Sequence, residues 1–104
     1  MQHDILFAPE AAEDLGNLAA NVRAEVRDSI ERHLRHEPRK ISKSRSKRLR
    51  GLSRPQYRLR VGDDIRVFYD VTERAVEILG IVPKSEVLEW LERYGENDER
   101  SSSV

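Results

Sequence analysis

The 104-residue chain is 37% charged and 6% aromatic, and its 19 Lys and Arg balance 19 Asp and Glu. Such a length holds one small domain; the absence of cysteine excludes disulfides, thiolate zinc sites and a cysteine nucleophile, and no run approaches the ~18 apolar residues of a membrane span. With the histidines His3, His33 and His36 unaccompanied by a carboxylate cluster, and no basic-then-apolar leader in MQHDILFAPEAAEDL, a cytoplasmic protein with no metal, no cofactor and no membrane partner is expected.

From the amino end, Gln2 to Phe7 predicts a short strand ended by Ala8-Pro9, and proline suits the first turn of the helix that follows. Ala11, Ala12, Leu15, Leu18 and Ala19 fall at helical spacing, with Glu10, Glu13 and Asp14 near the positive end of that helix. Asn21 is placed to cap a second helix, whose apolar stripe Val22, Val26, Ile30 and Leu34 recurs every four residues before Pro38 ends it. Arg39 to Ser46 reads as a polar loop. A hairpin follows, then a turn at Thr72-Glu73-Arg74. Ala75 to Val82, apolar and β-branched, is expected as a central strand closed by Pro83. Ser85 is placed to cap a last helix that sets Val87, Leu88, Leu91 and Tyr94 against the sheet, while Gly80 and Gly95 are expected to serve packing and a helix stop. The result is an α+β fold of order β-α-α-β-β-β-α, with two N-terminal helices on a small, mainly antiparallel sheet and a C-terminal helix. One domain is expected over 1–94, with GENDERSSSV, 95–104, as a flexible tail.

The hairpin carries the chemistry. Tyr57, Leu59 and Val61 alternate with Arg58 and Arg60, and after Gly62-Asp63-Asp64 the apolar face resumes with Ile65, Val67, Tyr69 and Val71. A three-residue loop with a glycine to accept positive φ puts Val61 across from Ile65, Tyr57 across from Tyr69 and Arg60 directly across from Arg66. Like charges so paired cost on the order of 0.2–1 kcal/mol, which a solvated surface tolerates without purpose. The flank strengthens the case for an anion. Between Arg32 and Arg66 thirteen Lys and Arg stand against Glu37, Asp63 and Asp64, a surplus of ten that the rest of the chain mirrors as a deficit. Zero net charge therefore conceals a polarised molecule, and clustered basic residues are the footprint of phosphate-backbone binding.

The order of elements, with LRG at Leu49–Gly51, YRLRV at Tyr57–Val61, RVFYDV at Arg66–Val71, FAPEAAEDL near the start and SEV at Ser85–Val87, resembles the RelE/ParE superfamily of bacterial toxins of type II toxin–antitoxin systems. The likeness runs from about Ile5 to Leu91. It is nearer to the RelE-like branch, because the longer helical hairpin usual in ParE-like toxins is missing. The resemblance implies a metal-independent, ribosome-dependent endoribonuclease that stops translation by cleaving mRNA through 2′-hydroxyl attack on the phosphate. It implies catalytic residues Arg66, Arg58, Arg60 and Lys84, and RNA contacts from Arg45, Lys47, Arg48, Arg50 and Arg54. The partners it implies are the ribosome with its mRNA and a cognate antitoxin that wraps the sheet or displaces the last helix in a toxin–antitoxin hetero-oligomer.

Two departures open an alternative. Arginine replaces the usual lysines at Arg58 and Arg60, and it stabilises charge but is a poor general base. At the carboxyl end Leu88 stands where a tyrosine is expected; Trp90, Tyr94 and Glu86 are the nearby substitutes. The alternative is a ParE-like toxin that acts on DNA gyrase by protein contact, or a catalytically impaired homologue that binds its antitoxin.

Overall fold

A computed structural model describes residues 2–97. Its centre is a five-stranded sheet of order β1-β6-β5-β4-β2, formed by β1 (Asp4–Phe7), β2 (Ser46–Arg48), β4 (Tyr57–Val61), β5 (Ile65–Val71) and β6 (Ala75–Pro83). Only β1 with β6 runs parallel; the other pairs are antiparallel. A smaller sheet pairs β3 (Leu52–Arg54) with β7 (Glu96–Asn97). Glu96 and Asn97 of the expected tail are thus hydrogen-bonded partners of β3, Gly95 donates its N–H to the Leu91 carbonyl, and 98–104 lie outside the described residues.

Period-two patterning places the core. Tyr57, Leu59, Val61, Ile65, Val67, Tyr69 and Val71 face the same side as Val76, Ile78 and Ile81, and all are buried beneath Ala11 and Leu15 of α1 (Pro9–Gly16) and Val26, Ile30 and Leu34 of α2 (Ala20–Leu34). Tyr57 and Tyr69 oppose each other and stack at 5.4 Å. Burial pushes the Tyr69 phenol well above its ordinary range, so it stays protonated and donates to the Pro38 carbonyl at 3.3 Å. The hairpin register matches expectation, with Arg60 across from Arg66 and Val61 across from Ile65, and Gly62 turns the loop at φ +59°.

Several boundaries differ from the sequence reading. Asn21 lies inside the first turn of α2, whose N-cap is Ala19 without a side-chain cap bond. Ser85 likewise sits within a 3₁₀ turn (Lys84–Glu86), and α3 (Val87–Tyr94) starts after Glu86. Of the expected inward set, Val87 and Leu91 are half-buried. Leu88 and Tyr94, expected against the sheet, are 78% and 48% exposed. The inward residue is Trp90, which stacks on Phe68 at 4.7 Å with the rings 8° from parallel. Of the loop expected over Arg39 to Ser46 the last residue opens β2, and β3 is a further short strand that the sequence reading did not place.

Trp90 lies against Gly80 so closely that an added Cβ would stand 2.4 Å from its Cζ2. Gly80→Ala is therefore expected to cost about 1–3 kcal/mol by overpacking and to shift the emission of this sole tryptophan to the red; unchanged emission and urea midpoint would show that the contact gives way freely.

On α2, burial first, then the charges of Arg45 and Arg32, push the His33 imidazole below its ordinary range. A base held neutral by the fold contributes full stability above the unfolded pKa of about 6.5. Below that the unfolded chain takes up the proton first, and stability falls until the folded imidazole titrates too. The urea midpoint should thus decline between pH 7 and pH 5 by more in the wild type than in His33→Gln; parallel curves would exclude the linkage.

Candidate anion site on the second sheet face

The opposite face of the sheet is split in two. Towards the β1 side it is covered by Trp90 and carries the paired charges of Arg54, Asp70 and Glu77, with Arg54 Nη2 3.1 Å from Glu77 Oε1 and Nη1 3.7 Å from Asp70 Oδ2. Asp70 also accepts the Gln56 N–H at 2.7 Å, and Gln56 Oε1 accepts Val71 N–H at 3.0 Å, which ties the start of β4 to the end of β5. Burial raises the Asp70 carboxyl above its ordinary range, partly offset by the Gln56 N–H and the Arg54 charge. Arg54 is therefore spoken for within the fold.

Towards the β4–β5 loop the same face holds Arg58, Arg60 and Arg66, brought together by register: Arg60 opposes Arg66, and Arg58 opposes Phe68 on β5 and Lys47 on β2. Arg66 is only 6% exposed. Its Nη1 donates to the backbone carbonyls of Asp63 (3.2 Å) and Ile65 (3.0 Å), which fixes the guanidinium at the mouth of the loop. Arg60 donates through Nη2 to Asp63 Oδ1 at 2.7 Å and through Nε to the Gly62 carbonyl at 3.1 Å. Among the described residues Arg58 has neither kind of partner, and its Nε is buried without a hydrogen bond. Burial, then the charges of Arg66 and Arg60, lower its pKa from the ordinary range; the guanidinium remains protonated at neutral pH. Among the described residues, Asp63 is the only carboxylate in an ion pair with any of these three arginines. Three guanidiniums and one carboxylate leave an unbalanced site that suits an anion with several oxygens.

The remaining predicted residues divide. Lys84 is exposed just past β6, where its backbone N–H donates to the Asp64 carbonyl, so it borders the same loop. Arg45 borders it too, since its carbonyl accepts the Arg60 N–H at 2.7 Å. Arg48 instead pairs with Tyr57 on the core-side register and sits over that ring at 5.1 Å, donating to the Gln56 carbonyl at 2.8 Å. Arg50 is exposed beside Gly51, at the bend between β2 and β3. Leu88, at the position where tyrosine was expected, points to solvent. Glu86 is exposed at the end of the 3₁₀ turn. Asp63, unremarked in the sequence beyond its place in the loop, is the residue that holds Arg60; an acid three residues after an arginine across a glycine turn is the signal that pointed to it. No group of three or more histidine and carboxylate side chains gathers as a metal site, and no helix is long and apolar enough to cross a membrane, among the described residues.

Comparison with known proteins agrees with this architecture. Residues 5–88 match the sequence model of the family described as the ParE toxin of the type II toxin–antitoxin system parDE. No curated protein matches the sequence. Among solved structures, a chain of the RelBE2 toxin–antitoxin complex from Mycobacterium tuberculosis is 23% identical, with a TM-score of 0.65 over 81% of this chain and 100% of that one. A chain of the archaeal RelE–RelB complex from Pyrococcus horikoshii is 24% identical, with a TM-score of 0.64 over 81% and 97%. One from the DinJ–YafQ toxin–antitoxin complex of E. coli is 14% identical, with a TM-score of 0.61 over 84% and 98%. At these identities the likeness is one of fold.

Proposed function

Since the chain belongs to the ParE toxin family of type II toxin–antitoxin systems, within the RelE/ParE superfamily, we propose that it is a toxin that halts translation by cleaving mRNA on the ribosome, and that a cognate antitoxin restrains it. The observation that carries this reading is the convergence of Arg58, Arg60 and Arg66 on one sheet face, with Asp63 as their only carboxylate partner among the described residues. In the reaction a ribose 2′-oxygen bonds to the adjacent phosphorus, the bond to the 5′-oxygen breaks, and the products are a 2′,3′-cyclic phosphate and a 5′-hydroxyl. The proton lost by the 2′-hydroxyl is balanced by one delivered to the leaving 5′-oxygen. Charge accumulates on the phosphoryl oxygens between those events, and fixed guanidiniums stabilise it without reorganising. Arg66, braced by two carbonyls, is suited to hold the phosphate, and Arg58, with its Nε unpartnered, is suited to meet the charge that develops. Neither moves a proton, so the acid and base of the reaction lie outside this trio. Lys84 adds a cation at the rim.

A second reading has its own support. The family match bears the ParE description, and Leu88 leaves no aromatic at the expected place; both favour a toxin acting on DNA gyrase by protein contact. Pulse incorporation of labelled methionine and thymidine after induction in a bacterial host separates the two. Early loss of methionine incorporation, relieved by Arg66→Ala and by Arg58→Ala in variants whose circular dichroism matches the wild type, is expected for mRNA cleavage. Early loss of thymidine incorporation that persists in both variants would move the target to replication.

A further inference from the structure

Beside the guanidinium trio lies a shallow depression of about 340 Å³ lined by Ser44, Arg45, Arg60, Gly62 and Asp63. Two features make it more than a dent in the surface. Arg45 lines it with a guanidinium whose Nε is buried without a hydrogen-bond partner among the described residues, and the Arg45 backbone is fixed alongside β4 by the Arg60 N–H and anchored by its own N–H to Ser42 Oγ at 3.1 Å. Asp63 lines the same depression, with its carboxylate 2.7 Å from Arg60 Nη2 and its side chain 97% exposed.

We infer that this depression is a second phosphodiester subsite, flanking the phosphate held by Arg58 and Arg66, and that Asp63 occupies it in the free protein as an intramolecular stand-in for that phosphodiester. The inference rests on the phosphate-handling reading above. A carboxylate and a phosphodiester present the same chemistry to Arg60: a delocalised anion with two oxygens for a planar fork. An almost wholly exposed aspartate on a glycine loop is held weakly, because exposed ion pairs are screened and lose side-chain entropy on forming. It can therefore swing into solvent when a polyanion arrives. Arg45 and Ser44 would then supply donors that Asp63 leaves unused, one from the guanidinium and one from a hydroxyl. Neighbouring phosphates on a single strand would thus bridge from Arg58 and Arg66 to Arg60 and Arg45, setting the strand's direction across the sheet. No bond is made or broken in this exchange.

The test is binding of a fluorescein-labelled 2′-O-methyl RNA dodecamer, which presents the phosphates but cannot be cleaved, across a range of sodium chloride concentrations. Each phosphate contact contributes roughly 0.7 to the slope of log affinity against log salt for single strands. Arg45→Gln should reduce the slope by about that amount, and Asp63→Asn should tighten binding about two- to fivefold. Asp64→Asn removes the same charge from the same loop without freeing Arg60, so its gain should be clearly smaller. Equal gains from Asp63→Asn and Asp64→Asn, or an unchanged slope in Arg45→Gln, overturn the subsite. If those occur while Arg58→Gln still lowers the slope, the primary phosphate site stands without the second. Binding indifferent to Arg58 and Arg66 sinks the phosphate reading itself.

Discussion

Replacing Phe68 with alanine is expected to cost about 3–5 kcal/mol, a large part of the ~5–15 kcal/mol that holds a small domain together. Phe68 is fully buried on the sheet face opposite the main core, stacked under Trp90. No residue of α3 is itself fully buried, and the helix is attached to the sheet through this stack and the packing of Trp90 on Gly80. Truncating the ring therefore removes a core side chain and releases the helix. The check is a urea titration followed both by far-ultraviolet circular dichroism and by tryptophan emission. The emission should already be red-shifted in the native baseline, before the sheet melts. Leu88→Ala supplies the contrast: at 78% exposure it should change stability by less than about 0.5 kcal/mol. Equal effects from the two variants would mean that Leu88, not Trp90, faces the sheet.

That contrast shows where sequence reasoning held and where it lost its footing. The hairpin was legible because alternation has a period of two and the Gly62 loop fixes the register, so the Arg60–Arg66 and Tyr57–Tyr69 pairs followed from spacing alone. Trp90 was left out of the inward face of α3 although it shares that face with Val87, Leu91 and Tyr94 at helical spacing; its partner Phe68 comes from another strand and is visible only in the fold. The strands β2 and β3 were hidden by their composition. Ser46 is buried opposite Leu59 although its sequence neighbours are Arg45 and Lys47, and a polar strand at a sheet edge has no apolar rhythm to read. Arg54 counted as one more basic residue of the flank, but its partners Asp70 and Glu77 come from two other strands and are invisible without the fold. Charge statistics thus pointed to the candidate anion site as a region, while tertiary pairing decided which arginines within it lack a carboxylate among the described residues.

The freedom of Arg58 leads to the sharpest expectation: Arg58→Met should make the protein more stable and disable it at once. In the fold its Nε is buried without a partner, and Arg66 and Arg60 repel its charge. An orphaned buried donor and like charges on neighbouring strands both oppose folding, whereas methionine keeps the length of the stem over the sheet without either penalty. The gain should be about 0.5–2 kcal/mol, visible as a rise in melting temperature. If the guanidinium stabilises charge on a reacting phosphate, its loss should lower mRNA cleavage on purified ribosomes by roughly 10²–10³-fold. Arg58→Lys keeps a point charge and should fall between, since it cannot offer two parallel donors. Arg54→Ala should behave in the opposite way, losing stability with its two ion pairs while sparing the rate. A cation kept unpartnered beside like charges at a cost to folding gains a physical rationale if an anion meets it. An Arg58→Met variant that melts lower than the wild type, or that cleaves at the wild-type rate, would show instead that Arg58 is held for structure.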